Sequence, residues 1–182
     1  MTPRTSYTHP LRIDSLEWNG SGRIGMTFCP GKCDPHAMTG AWARDLSADL
    51  QTIRDWGAVT LVTLMEAHEL ESLAVNDLGE AARAAGLDWI HLPIRDVSIP
   101  DHRFEQHWPA ISRRLAVRLE SGESLVIHCR GGLGRTGLVA GLLLVQAGLM
   151  PEQALDAVRA ARPRAVETRE QENYLLSIAD FS

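Results

Sequence analysis

Short runs of aliphatic and β-branched residues alternate along this chain with longer stretches in which apolar positions recur every three or four residues. The first pattern predicts buried strands and the second amphipathic helices. Leu11 to Phe28 reads as two short strands around Asn19-Gly20, a dipeptide suited to the positive dihedrals of a hairpin turn, and Cys29 to His36 as a loop. Ala43, Leu46, Leu50, Ile53 and Trp56 share one face of a helix expected over Ala41 to Trp56, which Gly57 ends. Ala58 to Met65 is a strand, Leu78 to Ala85 a helix stopped by Gly86, and Leu87 to Ile94 a strand leading towards Pro100. Phe104 to Glu120 is helical, with Pro109 in its first turns and Gly122 closing it. Glu123 to Cys129 is a strand, and Arg135 to Gly148, Pro151 to Ala161 and Glu167 to Ala179 are helices, the second with proline at its first position. Strands alternating with helices predict an α/β fold, a central and mostly parallel sheet flanked by helices. In such sheets ligands sit at the carboxyl ends of strands, where loops meet helix N-termini.

Composition narrows the function classes. With 182 residues, 45% of them hydrophobic, the chain suits a single domain over residues 11–182 behind a flexible polar tail, residues 1–10. Eighteen Lys and Arg against 23 Asp and Glu leave a net charge of −5, which argues against a nucleic-acid partner. No apolar stretch follows Arg4, and the run from Leu138 to Met150 is too short to span a bilayer, so neither membrane insertion nor secretion is expected. Three cysteines, an odd number, favour reduced thiols and a cytoplasmic location.

Chemistry concentrates in His128-Cys-Arg-Gly-Gly-Leu-Gly-Arg-Thr-Gly137, where a cysteine ends a strand and an arginine opens a helix. Gly132, Gly134 and Gly137 match a dinucleotide fingerprint, but helices follow where that motif needs a second strand with an acidic end. The alternative is a cradle for one phosphate: the amides of Arg130, Gly131, Gly132, Leu133 and Gly134 turn inward, and the positive end of the helix points at the same spot. Cys129 then lies beneath phosphorus as a nucleophile, since helix N-termini and nearby cations favour the thiolate. Arg135 offers a planar fork for two phosphoryl oxygens. His128 supports the loop or the thiolate charge, and Thr136 either donates to the sulfur or caps its helix.

His128-Cys-x5-Arg-Thr-Gly resembles the signature of the cysteine-dependent protein tyrosine and dual-specificity phosphatases. Arg23 to Gly31, His91 to Asp96 with Pro100-Asp101, and Pro151 to Ala154 are similar to the kinase-associated branch of that superfamily. The resemblance runs from about Gly22 to Tyr174. It implies a protein tyrosine phosphatase-like fold and a phosphoprotein phosphatase that forms a cysteinyl-phosphate intermediate without metal or cofactor. Its substrate would be a protein or peptide carrying phosphotyrosine, with phosphoserine or phosphothreonine as further targets.

The leaving oxygen needs a proton, which a loop carboxylic acid supplies. The resemblance puts that acid at Asp96, with Asp101 as fallback, although Asp101 also suits a cap for the helix near Phe104. Related phosphatases align the hydrolytic water with glutamines in a late segment. Glu167-Thr-Arg-Glu-Gln171 matches it with Glu167 at the first glutamine place, leaving Gln171 as the water-positioning candidate against the plainer reading of a solvated helix face. Cys29, Cys33 and His36 depart from common zinc spacing and read as a plain loop, with Lys32 a possible substrate contact. One extra cation, Arg130, beside Arg135 favours phosphoprotein over the alternative of inositol phosphates. A phosphate-dependent binding module and a rhodanese-like sulfurtransferase are the remaining competitors.

Overall fold

The computed structural model describes residues 2–19 and 21–178; Gly20 of the expected turn and Ala179 at the expected end of the last helix lie outside the described residues. In chain order the elements are β1 (Asp14–Trp18), β2 (Gly22–Phe28), β3 (Cys33–Asp34), β4 (Trp42–Ala43), α1 (Leu46–Trp56), β5 (Ala58–Thr63), α2 (Ala67–Ser72) and α3 (Leu78–Ala84). There follow β6 (Asp88–His91), α4 (His102–Glu120), β7 (Ser124–Cys129), α5 (Gly134–Gln146), α6 (Pro151–Ala161) and α7 (Arg169–Leu176).

Five strands form one sheet in the order β1-β2-β7-β5-β6, antiparallel only between β1 and β2. Every position of β7 is buried, the apolar run of residues 125–127 and also Ser124 and His128, as expected of a central strand of a parallel sheet with helices on it. Phe28 pairs with Cys129, and Thr63 pairs with both His128 and His91, so four strands deliver their carboxyl ends to one edge. Helices α1 and α3 pack on β5 and β6, whereas α4 and α5 pack on β2 and β7, with α6 and α7 against α5. Helix α5 is buried from Gly134 through Val145, which explains its near-absence of polar side chains. Among the described residues no helix is long and apolar enough to cross a membrane.

Four local expectations change. Helix α1 starts at Leu46 rather than Ala41, because the Asp45 carboxylate caps it by accepting from the Ala48 N–H at 2.8 Å. The residues before it join part of the expected 29–36 loop in the β3-β4 ribbon. Residues 2–10, read as a tail, lie against that ribbon: Ala43 N–H donates to the Arg4 carbonyl, and buried Arg44 donates to the His9 carbonyl at 2.7 Å. Helix α4 begins behind Asp101, so Pro109 falls past its second turn, where its ring removes the bond the Glu105 carbonyl would accept. Helix α2 is the fourth, and it carries a residue of the site.

Candidate active site

Between β7 and α5 the chain turns through residues 130–133. Gly132 has φ +70°, and a Cβ there would stand 2.4 Å from the Thr27 carbonyl, so both conformation and space demand glycine. Its N–H donates to Cys129 Sγ at 3.2 Å. Among the described residues the N–H groups of Gly131, Leu133, Gly134 and Arg135 donate to no protein acceptor. The carbonyl side of the loop is held from behind: Arg162, just past α6, donates to the Gly131 and Gly132 carbonyls and pairs with Asp14 at 2.7 Å. Nothing in the local pattern around Arg162 ties it to a loop 30 residues away.

These amides, with the α5 N-terminus, face a cleft of about 50 Å³ lined by Asp96, Val97, Cys129, Gly131, Leu133, Gly134, Arg135, Glu167 and Gln171. Cys129 is 3% exposed and forms its floor. Arg130 does not line the cleft; its guanidinium turns to Asp34 at 3.0 Å, leaving only its backbone in the loop. Thr136 does not cap α5, whose cap position is Leu133, and its buried Oγ1 has no hydrogen-bond partner among the described residues. An unpaired buried hydroxyl costs on the order of 1–3 kcal/mol.

Arg135 is almost fully buried, and most of its donors are fixed. Nη1 donates to Glu69 Oε2 at 2.8 Å and to the Ile94 carbonyl at 3.0 Å, and Nη2 donates to Glu69 Oε1 at 2.9 Å. Nη2 also lies 2.8 Å from Asp96 Oδ1, while Nε meets no acceptor among the described residues. Glu69, on α2, is the residue sequence reasoning missed. Burial pushes its carboxyl pKa up, but the bonds from Arg135 and the Glu66 N–H more than offset this and hold it below the usual range. Glu66-x-x-Glu69 before Leu70 and Leu73 is a legible helix-start pattern; that its second carboxylate would turn inward onto Arg135 is a tertiary fact.

Asp96 sits in a turn closed by the Ser98 N–H on the Arg95 carbonyl at 3.2 Å. The next residue, Val97, has φ +55°, a strained state for a β-branched side chain. Asp101 stands apart, lining a separate groove of about 770 Å³. It caps α4 by accepting from the N–H groups of Phe104 and Arg103, bonds that also lower its pKa. Gln171 is 1% exposed rather than on a solvated face. Its Oε1 accepts from the N–H groups of Glu167 and Thr168 at 3.1 and 3.2 Å, and its Nε2 donates to the Ser98 carbonyl at 3.1 Å. It thus ties the Asp96 turn to the start of α7.

His128 is fully buried in a hydrogen-bonded chain. Thr63 Oγ1 accepts from Trp89 Nε1 at 2.8 Å and is hydrogen-bonded to His128 Nε2 at 2.7 Å. The other ring nitrogen, Nδ1, lies 3.4 Å from the Cys129 carbonyl. Burial pushes the imidazole pKa down to about 3, so the ring is neutral and supports the loop by position, without lending charge to the sulfur. A consequence follows for stability. Between pH 6.5 and about 3 the unfolded chain binds a proton here that the folded chain refuses, so stability falls as pH drops through that window. The slope is at most about 1.4 kcal/mol per unit. Denaturant titrations from pH 7 to 4 are expected to show this fall, and His128→Gln to flatten it; an unchanged slope in the variant would place the acid sensitivity elsewhere.

Cys29 is buried, and burial pushes its thiol pKa well up. Among the described residues no three His, Cys, Asp or Glu side chains cluster as metal ligands. Lys32 turns inward over the rings of Phe28 and Trp42 at 4.3 and 4.5 Å, and burial lowers its pKa to about 8. It does not line the cleft.

Comparison with known proteins matches residues 32–175 to the family described as Swiss Army Knife protein, DSP-PTPase phosphatase domain. Cyclin-dependent kinase inhibitor 3 of Mus musculus is 32% identical over 168 residues, covering 91% of this chain and 78% of that one. A crystal structure of kinase associated phosphatase, with its catalytic site cysteine replaced by serine, superposes with a TM-score of 0.80 at 28% identity, covering 91% and 92% of the two chains. The active form of Tk-PTP gives 0.65 at 28% identity, covering 89% and 93%.

Proposed function

Because this chain belongs to the DSP-PTPase phosphatase family and is a cysteine-dependent protein phosphatase, we propose that Cys129 is its nucleophile, Arg135 its phosphoryl clamp and Asp96 its general acid. The observation that carries the assignment is a sulfur on the floor of a cleft whose surrounding amides have no protein acceptor.

The phosphate oxygens take the free N–H groups of Gly131, Leu133, Gly134 and Arg135. Arg135 meets two of them through its unengaged Nε and through Nη2, which means that the Asp96 carboxylate, now 2.8 Å from Nη2, gives way to the incoming dianion. Released from that pairing and protonated, Asp96 turns to the ester oxygen. Cys129 attacks phosphorus, the P–O ester bond breaks, and the Asp96 proton passes to the leaving alkoxide or phenoxide. Water then attacks the cysteinyl-phosphate; the P–S electron pair returns to sulfur, where the Thr136 hydroxyl donates to it, and a proton from the water restores Asp96.

Two carboxylates at the mouth, Asp96 and Glu167, and the engagement of Arg130 and Arg162 elsewhere favour a monophosphate on a protein over polyphosphorylated inositols. Metal-free hydrolysis of a chromogenic aryl phosphate, compared with phosphotyrosine peptide, phosphothreonine peptide and inositol polyphosphate, tests the reading. Asp96→Asn should cut turnover about 10²-fold for alkyl phosphates and far less for aryl esters whose leaving group needs no proton. Asp101→Ala should keep turnover and lower the melting temperature, as loss of a helix cap does. Equal activity loss in both variants would give Asp101 a share of the acid role.

A further inference from the structure

A phosphate cradle works only while its peptides keep their N–H edges towards the cleft, and the turn after Cys129 has little of its own to hold them so. Gly131 and Gly132 flank one peptide plane, and Gly132, with φ +70°, opens the next. Glycine lets both planes rotate. The carbonyl edges show what stops them. The Arg130 carbonyl accepts from the Cys29 N–H at 3.3 Å, and the Leu133 carbonyl accepts from the N–H groups of Gly137 and Val166 at 3.0 and 3.2 Å. Between them, the carbonyls of Gly131 and Gly132 receive no backbone N–H among the described residues; only the Arg162 guanidinium reaches them, the first through Nη2 at 3.3 Å and the second through Nε.

Each of these two carbonyls shares its peptide with an N–H that the chemistry uses. Opposite the Gly131 carbonyl is the Gly132 N–H, which donates to Cys129 Sγ at 3.2 Å. Opposite the Gly132 carbonyl is the Leu133 N–H, one of the donors left free beside the cleft. Arg162 is itself aimed. It follows the last turn of α6 with an extended backbone, and Asp14 on β1 accepts from its Nη1 at 2.7 Å, both side chains being 11% exposed. Rotating either peptide would leave a guanidinium donor without its acceptor.

Resting on the function proposed above, we propose that Arg162 is a positioning residue for the first transfer, holding two peptides so that one N–H steadies the Cys129 thiolate and the other meets a phosphoryl oxygen. A cation at the carbonyl end of a peptide also strengthens the donor at its other end. Arg162 does not line the cleft, so it acts only through the loop.

The test first reads the loop without turnover. The rate of Cys129 alkylation by iodoacetamide is followed against pH on the peptide that carries this residue, which keeps Cys29 and Cys33 out of the signal. In Arg162→Ala the pH of half-maximal rate rises by about one unit, protection by inorganic phosphate needs about 10-fold more of it, and kcat/KM for an aryl phosphate falls about 10²-fold. Arg162→Lys keeps the charge but has no fork to span two carbonyls, so it shows the same changes at reduced size, and it decides the matter alone if the alanine variant does not fold. A melting temperature that falls while the pH of half-maximal alkylation stays in place would make Arg162 a structural brace only and overturn the assignment. So would a lysine variant indistinguishable from the unsubstituted chain, since charge and not orientation would then be what matters. Turnover that survives complete alkylation of Cys129 would instead overturn the function on which the proposal rests.

Discussion

Replacing Cys129 with serine is expected to lower turnover of any phosphomonoester by about 10⁴-fold or more while leaving phosphopeptide binding intact. A serine hydroxyl in the same cradle stays protonated near neutral pH, attacks phosphorus poorly and is a poor leaving group in the second transfer. Nothing that holds the phosphate is lost. The N–H groups of Gly131, Leu133, Gly134 and Arg135 have no competing protein acceptor, and the Gly132 N–H, now on Sγ at 3.2 Å, finds an oxygen instead. The variant should therefore trap substrate. At 100-fold excess of phosphopeptide over Kd the bound state gains about 2.7 kcal/mol, read as a rise in melting temperature that inorganic phosphate competes away. Retained turnover would remove Cys129 from the nucleophile role. Tight binding without turnover by the unsubstituted chain would point to a phosphate-reading module.

The part of the site whose chemistry the residues themselves show is the part built from one continuous segment, whereas Asp96 and Gln171 are reached only through the family resemblance. Strand, glycine-rich turn and helix start are contiguous from His128 to Gly137, and the chemistry of each residue is local to that loop. What escaped notice is supplied across the fold. Glu69 arrives on a six-residue helix whose pattern is too short for periodicity to separate from loop, and Arg162 reaches Asp14 across 148 positions. Gln171 shows the same limit in reverse. Its charged neighbours Arg169, Glu170 and Glu172 suggest an exposed face, yet the capping box with Thr168 turns this one side chain under the Asp96 turn. The late start of α1 follows from a competition that hydrophobic spacing does not register: Trp42 and Ala43 pair with Cys33 and Asp34, and Asp45 then supplies the cap.

Arg135→Lys is expected to be nearly as damaging as loss of the sulfur, about 10³- to 10⁴-fold in kcat/KM, since each donor removed from a developing oxyanion is worth roughly 10²-fold. The guanidinium performs two tasks at once. One side is locked to Glu69 by paired bonds of 2.8 and 2.9 Å, which orients the plane; the side carrying Nε is left for phosphate. An ammonium can satisfy Glu69 as a point charge, so the variant should fold, but it then has no second edge to present. The complementary substitution, Glu69→Ala, tests the orienting role. It leaves a guanidinium at 2% exposure without its counter-charge, a loss of about 3–5 kcal/mol when a buried pair is broken on one side. Arg135 then leans further on Asp96, which already lies 2.8 Å away, and a tighter Arg135–Asp96 pairing competes with both substrate and proton delivery. Glu69→Ala should consequently raise KM for aryl phosphate as well as lower the unfolding free energy, and removal of the Asp96 carboxylate in the double variant should restore phosphate affinity without restoring turnover. If Glu69→Ala lowers stability but leaves KM untouched, Glu69 is a buried counter-charge with no part in presenting the clamp.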